Sequence, residues 1–283
     1  MSKEDNIEVQ GTVVEKFPSG LFSVALDTDR ERVILAHLAG KLRRNRIRVL
    51  AGDRVTLESV PAGADFHAMP DPDLALDVLL ERDGYVVIDK PAGVPSHPLR
   101  EAERGTLAGA LVARYPEMRG VGYRNREPGI LHRLDTHTSG LMLAARDQET
   151  FNAFRKLLQA GEIEKTYLAR CQGTVPAPIV IETLIANDPR EIKRLRAQRA
   201  RTEVLTSTPA EHGSLVEVRA DNARRHQIRV HLASIGHPLL GDTLYGGPAP
   251  EDLDGHLLHA VSLSFVDPAT GVAITARSSR TRI

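Results

Sequence analysis

Asp135 is the residue of this chain best placed to do chemistry. It lies in the run GILHRLDTHTSGLMLAARD, residues 129–147, flanked by basic side chains and followed by a Thr-Ser-Gly turn. The apolar run Leu141–Ala145 comes next, so the carboxylate is expected on a turn at a sheet end, close to Arg133. Such a group suits covalent or electrostatic chemistry on an anionic substrate. An isolated Asp in a turn more often caps it, with its oxygen on the backbone of Thr138 or Ser139. Two further candidates are Tyr167 in EKTYLARC (residues 164–171) and Arg229 in NARRHQIRVH (residues 222–231). Alone, the first would more often be core and the second a solvated face. His132, His137, His226 and His231 follow no metal-ligand spacing, and no acidic cluster accompanies them, so no metal is expected. The single cysteine, Cys171, excludes an intramolecular disulfide and reads as a buried, inert strand residue. No phosphate-binding G-x-x-x-x-G-K-[ST] occurs, which argues against phosphoryl transfer.

The elements that must hold these side chains are written in the hydrophobic pattern. Val86-Val87-Ile88 reads as a buried strand and Lys90-Pro91-Ala92-Gly93 as the turn that ends it. Phe151, Phe154, Leu157 and Leu158 fall on one stripe, which predicts a helix over 151–159. Tyr167 belongs to a strand, and LHAVSLSF (258–265) to a late one. Ile228 and Val230 flank Arg229 in an alternation that reads as a strand with Arg229 on the opposite face.

The residues from His132 to Leu141 resemble, at every position, the catalytic motif of the RluA-type pseudouridine synthases, H-R-L-D-x-x-T-S-G-L. Residues 79–98, 164–171, 222–247 and 258–265 resemble further blocks of that family, and the resemblance covers about residues 77–277. It implies an α+β catalytic domain with a mostly antiparallel mixed sheet. It also implies isomerisation of uridine in RNA to its C5-glycoside, which needs no cofactor and no metal. In that reading Asp135 either attacks C1′ or removes the 2′ proton, a choice the sequence leaves open. Arg229 pairs with Asp135, and Tyr167 stacks on the uracil. Arg133 enters the RNA when the target base leaves its stack. His132, His226 and Gln227 belong to the RNA-binding surface. The chain departs from the family at Ala223, where Gly is usual, and in a polar, basic end over 276–283. The alternative is a non-catalytic ribosome-binding translation factor, against which the joint presence of Asp135, Tyr167 and Arg229 speaks.

The first 60 residues read differently. Residues 7–14, 21–26 and 32–37 alternate as half-buried strands, with turns at Pro18-Ser19-Gly20 and Asp27-Thr28-Asp29. A short helical piece around 40–44 and strands at 47–49 and 54–58 follow, a pattern of small barrels. MSKEDNIEVQGTVVEKFPSGLFSVAL and HLAGKLRRNRIRVLAGDRVTLE resemble bacterial translation initiation factor one, an OB-fold that binds the small ribosomal subunit. Lys41, Arg43, Arg44, Arg46 and Arg48 then occupy a basic loop facing ribosomal RNA. The match ends near residue 60, with no counterpart of the family's last strand. The expected organisation is an OB-fold RNA-binding domain over 1–64, a linker over 65–76 with two prolines, and a catalytic domain over 77–283.

Composition bounds these readings. At 41% hydrophobic and 4% aromatic, the chain can bury a core that is mostly aliphatic. Lys plus Arg and Asp plus Glu both number 37, which excludes nucleic-acid binding by bulk charge. The basic residues cluster instead, in 41–48, 190–201 and 224–231. No stretch approaches a signal peptide or a membrane span, so a cytoplasmic monomer is expected, with no membrane partner. Ribosomal RNA is the favoured substrate and transfer RNA the other; the small ribosomal subunit is a candidate partner.

Overall fold

The computed structural model describes residues 9–16, 21–27, 29–37, 49–57, 66–185, 198–221, 224–250 and 253–280. The chain divides into two compact units, Met1–Ala64 and Asp65–Ile283. In the first, β1 (Val9–Lys16), β2 (Leu21–Leu26), β3 (Asp29–His37) and β4 (Arg54–Leu57) form an antiparallel sheet in the order β3-β2-β1-β4. The alternation read from the sequence puts Val13, Phe22, Val24 and Leu26 inside, where Val49 joins them. The helical piece around 40–44 and the basic loop residues Lys41, Arg43, Arg44, Arg46 and Arg48 lie outside the described residues.

The second unit is built on a mixed sheet. Its strands are β5 (Val78–Glu81), β6 (Tyr85–Lys90), β7 (Ser139–Ala145), β8 (Glu164–Gln172), β9 (Ile179–Ile185), β10 (Gln198–Ala210), β11 (Gly213–Asp221), β12 (Leu258–Val266) and β13 (Ala273–Arg277). The order is β5-β6-β7-β12-β8-β11-β10-β9, with β13 on β12. Among the described residues every pairing in this sheet is antiparallel except β7 with β12, where Ser139 faces His259 and Gly140 faces Ala260. Gly140 has φ +110, and a Cβ there would run into the backbone of Ala260. The glycine of the Thr-Ser-Gly turn is thus what lets β7 lie against β12.

Both faces of β6 and β7 are covered, which is why these two strands read as apolar runs. Val86, Ile88, Met142 and Ala144 point to one core, which takes in Leu107 and Leu111 of helix α1 (Leu107–Arg114). The same core holds Ile228 and Leu232 of helix α3 (Gln227–Ser234). Tyr85, Val87, Leu141 and Leu143 point to the other, under Phe151 and Phe154 of helix α2 (Gln148–Ala160). α2 confirms the stripe predicted for 151–159. It starts one turn earlier because Asp147 accepts the backbone N–H of Thr150, and it ends at Gly161 in the left-handed region, φ +76.

Two expectations need correction. Arg229 stands on a helix, not on a strand. Gln227, Ile228, Arg229, His231 and Leu232 are all buried, so burial in α3 does not follow polarity and its short pattern imitates an alternation. The described part of the stretch read as a linker packs on the second unit. Ala68 is buried in its core, and Asp71 accepts the N–H of Gly105 at 2.7 Å. Among the described residues no helix is long and apolar enough to cross a membrane.

Candidate active site

Asp135 stands on the loop that leads into β7, and that loop is clamped from several sides. Leu131 and Leu134 anchor it in the two cores. Ser96 Oγ donates to Leu134 O at 2.7 Å and accepts Leu134 N–H at 3.2 Å. Thr138 Oγ1 meets His256 Nε2 at 2.7 Å, and Ser139 Oγ meets His259 Nδ1 at 2.9 Å. Beneath the loop Lys90 is fully buried, and its Nζ donates to the carbonyls of Pro91, Val94 and Thr136 at 2.8, 2.7 and 3.0 Å. Burial pushes its pKa down to about 7, with Asp135 opposing. Three carbonyl acceptors nevertheless require three N–H donors, which only the ammonium form has. Lys90 is thus a charged brace, invisible in a sequence where it reads as a turn lysine.

The carboxylate is not a turn cap. The bond across the turn is backbone to backbone, Thr138 N–H to Asp135 O at 3.1 Å, which frees the side chain. Asp135 Oδ2 accepts from Arg229 Nη1 at 2.9 Å and lies 3.7 Å from His226 Nε2. Among the described residues no hydrogen bond engages Oδ1, so one oxygen is held and the other is not. Arg229 turns its remaining edge to Asp242, Nε to Oδ2 at 2.7 Å and Nη2 to Oδ1 at 2.8 Å. Burial opposes the charge of Arg229, and the bonds to Asp242 and Asp135 outweigh it, holding its pKa above the ordinary arginine value. The guanidinium also lies over the Tyr245 ring, 5.1 Å from its centre. Asp242 and Tyr245 were not singled out from the sequence; their one signal there was GDTLYGG within a matching block.

Tyr167 comes from β8, opposite Val218 on β11 and Ala260 on β12. Burial, reinforced by the charge of Asp135, drives its phenol well above the ordinary value, so it is a neutral donor at any working pH. Asp135, Tyr167, Thr138, His226, Arg229 and Arg133 line one cavity of about 250 Å³. His226 opens α3 with a left-handed backbone, φ +57, and bonds Tyr245 Oη through Nδ1 at 2.9 Å. Burial lowers its pKa, against the pull of Asp135. Its other ring nitrogen, Nε2, is the one that faces Asp135.

The remaining predicted residues divide. Arg133 is exposed, touches His97 Nε2 at 3.2 Å, and is shared with a larger groove of about 820 Å³ that also carries Arg155, Lys165, Arg219 and Arg224. Gln227 is tied into the fold: its Nε2 donates to Arg201 O at 2.9 Å and its Oε1 accepts Arg224 N–H at 3.1 Å. His132 is likewise structural in its bonding, since its Nε2 accepts the N–H of Leu143 at 3.1 Å. Burial, then Lys165, push its pKa down to about 3, and burial with the charge of Arg229 takes His256 to about 4. Unfolded histidine titrates near 6.5. Below that pH the unfolded chain binds protons these folded imidazoles refuse, so their contribution is full above about 6.5 and declines as pH falls toward 4. Urea midpoints should therefore drop steadily between pH 6.5 and 4. The His132→Gln variant should flatten that slope, and an unchanged slope would remove His132 as its source.

Known proteins resemble this chain in sequence and in fold. Residues 84–234 match the model of a family described as RNA pseudouridylate synthase. A ribosomal large subunit pseudouridine synthase D from Neisseria meningitidis is 32% identical over 81% of this chain. One of the same name from Xanthomonas campestris is 33% identical over 85%. The chain spans 64% of the length of the first and 76% of the second. The solved structure of human RNA pseudouridylate synthase domain containing 1 superposes with a TM-score of 0.57 at 22% identity. The match covers 72% of this chain and 84% of that one, a likeness of fold.

Proposed function

The chain belongs to the RNA pseudouridylate synthase family, and we propose from its site that it isomerises uridine to pseudouridine in RNA. The observation that carries the reading is a single carboxylate, Asp135, held at one oxygen by Arg229 and open at the other, beside Tyr167 in a cavity of about 250 Å³. In the reaction the N1–C1′ bond breaks, the uracil turns, and C5 bonds to C1′. The C5 proton leaves and N1 gains one, so nothing is oxidised and no fragment is released. One carboxylate suffices, because the leaving group stays in the pocket. Asp135 Oδ1 either attacks C1′ or takes the 2′ proton. Both routes need an oriented carboxylate, and Arg229 holds Asp135 by one oxygen. Tyr167 gives the uracil a face to rest on and a neutral hydroxyl at its edge. Arg133, exposed at the rim, fills the stack the uridine leaves.

The basic groove next to the cavity suits the phosphodiester backbone. The names of the relatives favour ribosomal RNA over transfer RNA. The first unit is read as an OB-fold resembling initiation factor one. Its order β3-β2-β1-β4 is consistent with the opening of such a barrel, and Lys41, Arg43, Arg44, Arg46 and Arg48 are its proposed RNA contacts. The small ribosomal subunit is its proposed partner, and the whole is read as a cytoplasmic monomer. Mapping pseudouridines in ribosomal and transfer RNA with and without the protein tests the activity, and no new site in either would end the reading. Tyr167→Phe keeps the stacking face and loses the hydroxyl, so RNA binding should persist while single-turnover conversion slows by about tenfold. Conversion at the parent rate would remove the hydroxyl from the chemistry.

A further inference from the structure

Tyr123 lies outside every motif residue, and among the described tyrosines and phenylalanines it alone is exposed, at 68%. One exposed tyrosine is ordinary on a protein surface. This one is fixed. Its ring meets the edge of Phe151 at 5.2 Å and 85°, and Arg155 Cζ lies 5.5 Å from its centre. Phe151 and Arg155 are four residues apart on α2, so one helix face holds the ring from two directions. The ring walls a cavity of about 190 Å³ with His97, Glu127, Arg133 and Phe151. Arg133 belongs both to this cavity and to the one around Asp135, and Arg133 and Arg155 both line the basic groove.

The charges agree with an anionic chain passing this point. Arg155, Arg219 and Arg224 line the groove with a buried Nε that has no hydrogen-bond partner, and among the described residues no carboxylate pairs with them. Glu127 is surrounded by His97, Arg124 and Arg126 at 3.5, 3.5 and 3.8 Å, so its charge is compensated within the protein.

We propose that Tyr123 is the platform of a second nucleobase site, which takes an unstacked base flanking the target uridine while Arg155 and its neighbours hold the connecting phosphates. The proposal deepens the RNA reading of the Asp135 cavity and rests on it. A base stacks on a tyrosine face whatever its identity, whereas a phosphate contact is indifferent to whether the base is there. The two are separable with penta-uridylate and a pentanucleotide of the same phosphates that keeps only its central uracil.

Affinities of both oligomers are measured by calorimetry for the parent chain and for Tyr123→Ala, Tyr123→Phe and Asp135→Asn. Tyr123→Ala should bind penta-uridylate about five- to a hundredfold more weakly than the parent. It should bind the one-base oligomer as the parent does, and Tyr123→Phe should match the parent on both. Asp135→Asn should keep the parent's difference between the two oligomers. Equal losses on both oligomers, no loss on either, or no binding of penta-uridylate by the parent would each overturn the second site. Pseudouridine mapping reads the activity separately, so failure of the site and failure of the isomerase reading are told apart.

Discussion

Asp135→Asn is expected to abolish conversion of uridine to pseudouridine while the chain stays folded and keeps its RNA affinity. The amide has the shape of the carboxylate and can still accept from Arg229 Nη1 at the position Oδ2 holds. It has neither the charge to attack C1′ nor the basicity to take the 2′ proton, so both routes fail together. Arg229 is not stranded, because Asp242 still takes its Nε and Nη2. The thermal midpoint should therefore move by only a few degrees, in line with partial loss of one pair. Single-turnover conversion should fall roughly a thousandfold or more, as when one member of a concerted catalytic set is removed. Mass-spectrometric counting of pseudouridine in the RNA that the parent modifies reads this directly. Conversion within tenfold of the parent would show that another group does the chemistry.

The parts of the fold that were legible in the sequence are those whose burial differs between faces. β8 alternates buried and half-exposed along Glu164–Gln172, and α2 shows one apolar stripe with polar residues opposite. Where burial is uniform the periodicity vanishes. α3 is buried almost all round, so Ile228-Arg229-Val230 imitates a strand, and only the left-handed backbone at His226 starts the helix that aims Arg229 inward. Residues 66–76 carry Met69-Pro70-Asp71-Pro72, which reads as connector. Their packing depends on Asp71 meeting Gly105 more than thirty residues away, a contact no local pattern encodes.

The site divides along the same line. Asp135, Tyr167 and Arg229 lie on three separate elements, yet each stands in a motif long enough to name, and the fold brings all three to one cavity. Lys90 and Asp242 are needed to hold two of them and look ordinary in sequence, one a lysine before proline and the other an aspartate after glycine. Their roles come from burial, and a buried charge is recognised only by the partners that compensate it. His132 and Gln227 show a second side of the same point: the first lines the basic groove and the second the Asp135 cavity. Both stand inside motifs and are bonded to backbone and neighbouring side chains of the protein.

Asp242 carries the second large effect, and it acts through Arg229. Its side chain is 1% exposed and takes two of the guanidinium's donors, while Asp135 takes one. Asp242→Leu leaves a buried arginine without two of its three hydrogen bonds to carboxylates. Removing one member of a buried pair costs about 3–5 kcal/mol, and at about 2–4 °C per kcal/mol the thermal midpoint should fall by roughly 6–20 °C. Conversion should fall as well, because an under-bonded guanidinium is free to turn wholly onto Asp135 and engage the oxygen the substrate needs. A purely structural role would lower the midpoint and leave the rate per folded molecule unchanged. Asp242→Asn separates the two effects. The amide can accept one N–H and not both, so it should restore most of the midpoint and less of the rate. Single-turnover conversion per folded molecule of the Asn variant is the deciding measurement, and it should stay below the parent's even where the midpoint has largely recovered. A rate per folded molecule equal to the parent's would confine Asp242 to the fold.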